Sequence, residues 1–381
     1  MHSVGFRAVQ VTHYTGNAVF ALSAGIDVLV AWALVAWAAR RRPLLPRLAF
    51  GGALTLGLLA VKGLLLLKLG VERHFGVMHV LWLDFAVVLP LAAALLGLLA
   101  WRHGSASVRA LVVAGLLAAP VGAYASFIEP NRLVVDHATL RLPSERVGMD
   151  PIRVALLSDI QFEVVGGHER EAVTRLMAQH PDVIVLTGDY HQGSRAQFAR
   201  QLPAIHRLFA QLHAPGGVFA VQGDVEDRND FRRTFAGTGV RTLFNEVAHA
   251  RVGDRTIMIG GVQLAYWRSA ARDFTRRFEL LPGDGDVRIL VAHRPDVALR
   301  LSPHTRVDLL AAGHTHGGQV QLPLIGPLST ASGVPRDVAA GGLHVLDGRA
   351  LYVSRGVGVE RGQAPRLRLG APPEIPVVTL R

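Results

Sequence analysis

The chain has 381 residues, of which 50% are hydrophobic and 18% charged, with a formal net charge of +11 and a mean hydropathy of +0.31. This composition excludes intrinsic disorder and argues against a purely soluble protein. The complete absence of cysteine excludes disulfides, thiolate metal sites and cysteine nucleophiles. The length suits two or three domains of about 100–200 residues each. Only Lys62 and Lys68 of the forty basic residues are lysine, a bias that suggests a GC-rich genome rather than a function. Residues 1–131 hold ten basic and four acidic side chains, and 132–381 hold thirty and twenty-five. The positive charge is therefore spread out. It forms no nucleic-acid stripe, and no nucleic-acid partner is expected.

The composition changes near residue 131. Before it lie four apolar runs, at about 17–39, 48–69, 77–101 and 106–128, each long enough to cross a bilayer. The first ends in Arg40-Arg41-Arg42-Pro43, and Trp82 and Trp101 sit near the ends of the third, where an interfacial belt would lie. The expectation is a multi-pass transmembrane anchor over 1–131 and a globular domain over 132–381. Asp27, Lys62 and Asp84 fall inside the spans, where a lone charge costs a few kcal/mol. The economical reading is that Lys62 pairs with an aspartate of a neighbouring helix. Four spans put both termini on one side. The arginines of the first loop favour the cytoplasm, which leans the C-terminal domain outward, while Arg132, Arg141 and Arg146 pull it back.

After the anchor, strands and helices alternate. A β-rich run covers 133–142, and 152–157 reads as a buried strand ending in Ser158-Asp159. A helix is predicted over about 169–179, then a strand over 183–186 ending in Gly188-Asp189. A helix over about 195–212 leads to a strand over 217–221 ending in Gly223-Asp224. Strands at 287–291 and 307–311 end in His293 and in Gly313-His314-Thr315-His316. Between them, residues 267–281 place Trp267, Ala270, Ala271, Phe274, Phe278 and Leu281 on one helical face. That face either packs a core or lies on a membrane surface.

Five strands thus run directly into residues able to hold a metal, and ligand sites of open α/β sheets lie at the carboxyl ends of strands. The candidate ligands are Asp159, Gln161, Asp189, Asp224, His293, His314 and His316. They offer only oxygen and imidazole nitrogen, a set suited to Mn, Fe, Zn, Co or Mg. Seven ligands are too many for one ion and reasonable for two. A two-metal site activates a shared water and neutralises phosphoryl oxygens, so the implied chemistry is hydrolysis of a phosphoester or phosphoanhydride.

In this order, Ser158-Asp159-Ile160-Gln161, Gly188-Asp189, Gly223-Asp224-Val225-Glu226, His293 and Gly313-His314-Thr315-His316 resemble the motifs of calcineurin-like metallophosphoesterases. The resemblance covers roughly 150–380. The run Gly313-His314-Thr315-His316-Gly317-Gly318-Gln319 and the later Leu351-Tyr352-Val353-Ser354-Arg355-Gly356 are similar to the bacterial membrane-associated branch, which includes UDP-2,3-diacylglucosamine pyrophosphatase-type proteins. The resemblance implies an α/β domain built on a β-sandwich flanked by helices, with two divalent ions (Mn2+ first, with Fe, Zn, Co or Mg as others) at one edge. It implies that Asp189 bridges both ions. Asp159, Gln161 and His316 would complete one site, and Asp224, His293 and His314 the other. It also implies a phosphorylated small-molecule or lipid substrate, with UDP-2,3-diacylglucosamine as lead candidate, contact with membrane lipids, and a place in the bacterial inner membrane. Arg294 and Gly317, beside two of the ligands, are candidate substrate-binding residues.

Three positions depart from the pattern. Gln161 stands where the family usually has His, and Asp224 stands for Asn. Val225 stands for the His that usually assists the leaving group. Either the substrate has a good leaving group, or His191, His168 or Glu226 supplies the proton, with His191 the best placed for a catalytic role. The contrasting expectation is a catalytically degenerate metal-binding membrane protein that signals or scaffolds.

Overall fold

A computed structural model describes residues 74–102, 105–283, 286–361 and 364–381, together with Gly25, Asp27, Pro43, Pro46, Ala53, 56–58 and 60–62. Apart from those scattered positions, the predicted spans 17–39 and 48–69 lie outside the described residues. The chain divides into two compact units, Met1–Ile128 with Arg361–Arg366, and Glu129–Glu360 with Leu367–Arg381.

Two helices among the described residues are long and apolar enough to cross a membrane: α1, Met78–Leu98, in the first unit, and α2, Ala106–Asn131, in the first unit as far as Ile128. They match the third and fourth predicted spans. Small residues let their backbones approach. A Cβ at Gly115 would come within 2.6 Å of the Ala93 Cβ, and one at Gly122 would meet Ala86 at the same distance. In a lipid environment, such small-residue contacts would replace the hydrophobic driving force lacking there. The Trp82 indole donates to Ser126 Oγ at 3.2 Å across the pair, whereas Leu91, Leu98, Leu111 and Leu117 point outward. Lys62 is buried between two carboxylates. Its Nζ donates to Asp84 Oδ2 at 2.7 Å and is ion-paired with Asp27. The expected pairing is found, with both aspartates engaged. Asp84 opens a π-helical turn, Asp84–Val88, inside α1.

The second unit is built on two six-stranded sheets. Its strands are β1 (Val134–Leu140), β2 (Ile152–Leu157), β3 (Val183–Leu186), β4 (Val218–Ala220), β5 (Arg241–Thr242), β6 (Glu246–Val252) and β7 (Arg255–Gly261). They continue with β8 (Val287–Val291), β9 (Leu309–Ala312), β10 (Gln321–Leu322), β11 (Gly326–Pro327), β12 (Gly342–Leu346), β13 (Arg349–Val353) and β14 (Glu374–Leu380). One sheet has the order β1-β14-β2-β3-β4-β5 and the other β12-β13-β9-β8-β7-β6, with β10 and β11 forming a separate hairpin. Neighbours from β2 to β5 are parallel, as are those from β7 through β8 and β9 to β13.

The continuous apolar runs follow from burial on both faces. In β2 and β3, Val154, Leu156, Val183 and Val185 point into a core shared with Ile257, Ile289 and Leu309 of the second sheet. The alternate residues Ala155, Leu157, Ile184 and Leu186 point outward, under helices α3 (Gly167–Met177), α4 (Arg195–Phe209) and α5 (Arg228–Phe235). The second sheet is covered likewise by α6, Ser269–Glu279. The unit is an α/β sandwich in four layers. This arrangement also decides the amphipathic segment at 267–281. Ala271, Phe274 and Phe278 are buried against Met258 and Leu290, so the face packs a core. Ala270 and Trp267 remain exposed, and Thr275 is buried in their stead.

Candidate metal centre

Five of the parallel strands, β2, β3, β4, β8 and β9, end in loops that carry polar side chains to one region above the sandwich. Here the backbone leaves its common conformations. Asp159, Gln161, Asp189, His314 and His316 all have positive φ, between 44° and 72°. Non-glycine residues rarely adopt this region, and such strain persists only where the surroundings impose it, commonly at functional sites. Two glycines make the crowding possible. A Cβ at Gly223 would collide with the Asp189 backbone, and one at Gly313 with Ser158 and Asp159.

The loops after β2 and β3 run side by side. The amides of Asp159 and Gln161 donate to the carbonyls of Gly188 and Asp189, at 3.0 and 3.1 Å. All seven predicted ligands converge around them. Asp159 is fully buried, accepts from the His314 amide at 3.0 Å, and lies 3.5 Å from His316 Nε2. Gln161 Nε2 donates to Asp189 Oδ2 at 3.0 Å. His293 donates from Nδ1 to the Thr187 carbonyl at 2.8 Å, which leaves Nε2 as the basic nitrogen. That nitrogen lies 3.4 Å from Asp189 Oδ1 and 3.3 Å from Asp224 Oδ2. His314 Nδ1 is 2.9 Å from Asp224 Oδ2. Two sets of donor atoms fall within 4.8 Å of one another, Asp224-His293-His314 and Asp159-Asp189-His293. His293 thus belongs to both sets, a closer association with Asp159 and Asp189 than the sequence implied.

The electrostatics show what these groups need. Burial, reinforced by Asp189, pushes the Asp159 carboxyl up to about 6. Burial also opposes a charged His293, yet Asp189, Asp224 and Asp159 together raise it to about 10. Burial works to raise Asp224 too, but contacts with His293 and His314 hold it well below the carboxylate range. His316 is pushed well below the ordinary imidazole value by burial and by the nearby Arg368 guanidinium. Buried carboxylates gathered so closely require positive charge. Nε2 of His293 and Nε2 of His316 are buried without a hydrogen-bond partner. Unsatisfied imidazole nitrogens beside carboxylates are the donor set of a divalent transition-metal site, so the residues fit the implied ions.

The remaining predicted residues lie around this group. Arg294 donates from Nη2 to both oxygens of Asp224, at 2.9 and 2.8 Å. The carboxylate that departs from the family pattern therefore has its own cation. Gly317 is buried with φ of 59° and follows His316 directly. His191 Nε2 lies 3.2 Å from the Glu163 carbonyl, and burial lowers its pKa. It lines a cavity of about 200 Å³ with Val225 and Glu226. Glu226 is buried and accepts from the amides of Gly223, Asp189 and Tyr190 at 2.6, 3.2 and 3.3 Å. It ties the second and third motif loops together, and burial pushes it up to about 8. His168 is hydrogen-bonded to the Val357 carbonyl at 3.0 Å.

Two residues escaped the sequence reading. Arg368 is fully buried beside His316 and donates to the carbonyls of Arg355 and Ala371, at 2.7 and 3.0 Å. Glu360 accepts from Gln161 Nε2 at 3.1 Å. No local pattern distinguishes either from a surface charge. The only hint is their position in the loop that leads back to β14.

A fold of this kind with such a site defines a class. Residues 152–318 match the calcineurin-like phosphoesterase family, and the second unit carries a calcineurin-like metallophosphoesterase domain, the domain of a metal-dependent phosphoester hydrolase. Among its relatives is the metallophosphoesterase YkuE of Bacillus subtilis, 29% identical over 71% of this chain and 93% of that protein. The phosphodiesterase YaeI of Escherichia coli is 28% identical over 60% of this chain and 82% of its own. The UDP-2,3-diacylglucosamine pyrophosphatase LpxG of Chlamydia trachomatis is 25% identical, over 68% and 93% respectively.

Proposed function

We propose that this chain is a membrane-held binuclear metal phosphoesterase that cleaves a phosphodiester or pyrophosphate bond, with residues 1–131 as anchor and 132–381 as the catalytic domain. The observation that carries the reading is the convergence of seven oxygen and imidazole donors at the ends of parallel strands, five of them on left-handed backbone. Asp189 belongs to the set with Asp159 and His293, 3.4 Å from the histidine the two sets share, and would bridge the ions. Asp159, Gln161 and His316 would hold one ion, and Asp224, His293 and His314 the other, with Mn2+ the first candidate. Two bound ions would supply an activated water and charge neutralisation at the phosphoryl oxygens.

The protein's own groups set the rest. Thr187 fixes the His293 tautomer, and Arg294, held beside Asp224, presents a guanidinium where an anionic substrate would approach. Val225 cannot protonate a leaving group, which favours a substrate whose leaving group departs unaided, as a phosphate ester of a pyrophosphate does. A lipid-linked anhydride fits that requirement and two helices able to cross a membrane. UDP-2,3-diacylglucosamine, the substrate named for one relative, is the lead candidate. A nucleotide sugar of this kind requires a cytoplasmic catalytic domain, against the outward lean of the loop charges. A reporter fused to the C-terminus decides this, and an external domain would remove the nucleotide sugar.

The activity test is Mn2+-dependent hydrolysis of an aryl phosphodiester by the purified full chain, with Asp189→Ala inactive. No hydrolysis by the fully metal-loaded protein would overturn the proposal in favour of a metal-binding protein that signals or scaffolds.

A further inference from the structure

Three glutamines from three separate motif loops meet at one residue, Glu360, two at its carboxylate and one at its backbone amide. Gln161 follows β2, Gln192 follows the Asp189 turn, and Gln319 follows His316-Gly317-Gly318. Gln161 Nε2 donates to Glu360 Oε2 at 3.1 Å, and Gln192 Nε2 donates to Glu360 Oε1 at 2.6 Å. The Glu360 backbone amide in turn donates to Gln319 Oε1 at 2.9 Å. Glu360 is thus fixed at its backbone and at both carboxylate oxygens, and every attachment leads to a loop bearing a candidate ligand.

The chemistry of an amide makes this significant at Gln161. An imidazole offers a ring nitrogen. An amide has one end that can ligate, Oε1, and one that cannot, Nε2, and a half-turn about the last side-chain bond exchanges them. Two contacts of Gln161 Nε2 are to carboxylate oxygens, Asp189 Oδ2 at 3.0 Å and Glu360 Oε2 at 3.1 Å. A carboxylate is an acceptor only. It repels Oε1 and attracts the amide hydrogens, so two carboxylates on the same nitrogen select one orientation.

We infer that Glu360 is a positioning residue that makes Gln161 a competent oxygen ligand, by holding Nε2 and so presenting Oε1 to the metal site. The inference rests on the binuclear reading above. It makes that half of the centre richer in oxygen than an imidazole would. Oxygen donors suit Mn2+ and Mg2+ better than they suit Zn2+. Groups that orient a metal ligand typically contribute 10–100-fold in metal affinity. Glu360 is therefore expected to govern both the affinity and the selectivity of one of the two sites.

The test is Mn2+ titration of the full chain by calorimetry, with bound metal counted after gel filtration. Wild type is expected to take two ions. Glu360→Gln is expected to weaken one of them at least tenfold, with an unchanged melting curve in EDTA. In a Gln161→His background the imidazole no longer needs the carboxylate, so adding Glu360→Gln should have no further effect, and competition should shift toward Zn2+. Should Glu360→Gln fail to fold, Gln192→Leu removes one of the carboxylate's supports and should give a smaller loss of the same sign, again only with Gln161 present. Unchanged Mn2+ affinity in Glu360→Gln, or an equal loss with His at position 161, would overturn the positioning role. A wild-type protein that binds no Mn2+ would instead overturn the binuclear reading beneath it.

Discussion

Asp159 and His316 lie on the floor of the candidate centre, buried and enclosed by loops after β2 and β9, whereas Asp224 and His314 stand at its rim. The side chain of Asp159 is fully buried, while that of Asp224 keeps 30% of its exposure and shares it with Arg294. The floor relies on position. Left-handed backbone, buried Arg368 and the glutamine-held Glu360 fix donors that cannot relax toward water. The rim relies on charge pairing, and its guanidinium can exchange an intramolecular carboxylate for a substrate oxygen. The difference would give the floor the more rigidly placed metal ligands, and the rim, which also carries the proposed ligands Asp224 and His314, an arginine for the substrate.

The largest effect should come from Asp189, the residue proposed to bridge the two ions. Asp189→Ala should lower kcat/KM by at least 10³-fold and reduce bound Mn2+, as expected when a bridging carboxylate is lost. Retention of both ions with near-normal turnover would break the comparison at its centre.

Next is the response of the metal-free floor to pH. Asp159 is held at about 6 and Glu226 at about 8, both above their unfolded values of 3.8 and 4.5. Each group's contribution is complete below its unfolded value and is lost as pH rises through its folded value. In EDTA these two carboxyls should therefore lower the melting temperature between pH 5 and pH 8, most clearly above pH 7, where the opposing gain from His316, held neutral by burial, is complete. Added Mn2+ should restore more at pH 8, where carboxylates are free of protons. A melting temperature that rises between pH 7 and pH 8 would contradict the buried-charge account.

At the rim, Arg294→Met should raise KM for an anionic substrate about tenfold, equivalent to roughly 1.4 kcal/mol, while kcat and metal content hold. Equal losses in kcat and metal would move Arg294 into the metal-holding class.

The smallest effect concerns proton delivery. If His191 replaces the histidine lost at position 225, His191→Ala should slow an alkyl ester more than a nitrophenyl ester. Equal rates for both esters in mutant and wild type would remove His191 from the reaction and leave leaving-group quality as the explanation.

Much of the catalytic domain was legible because strands buried on both faces leave continuous apolar runs, and those runs end where ligands must stand. Leu156-Leu157-Ser158-Asp159 and Leu310-Ala311-Ala312-Gly313-His314 show both features together. The amphipathic segment at 267–281 was ambiguous in the sequence because a core-facing stripe and a membrane-facing stripe share one periodicity. Only the outer face of the second sheet, which this helix covers, decided between them. Glu360 was illegible for another reason. Its partner Gln161 is 199 positions away, and nothing around it distinguishes a buried hydrogen-bond acceptor from a solvated charge. Arg288 and Arg368 are likewise fully buried arginines whose terminal guanidinium nitrogens donate to backbone carbonyls, a use of charge without any sequence period.

The most direct measurement is a crystal structure of the full chain grown with Mn2+, with anomalous scattering used to locate the metal. The account predicts two peaks about 3.5–4 Å apart, with Asp189 between them, one beside Asp159, Gln161 and His316 and the other beside Asp224, His293 and His314. A single peak, or metal bound away from these residues, would contradict it.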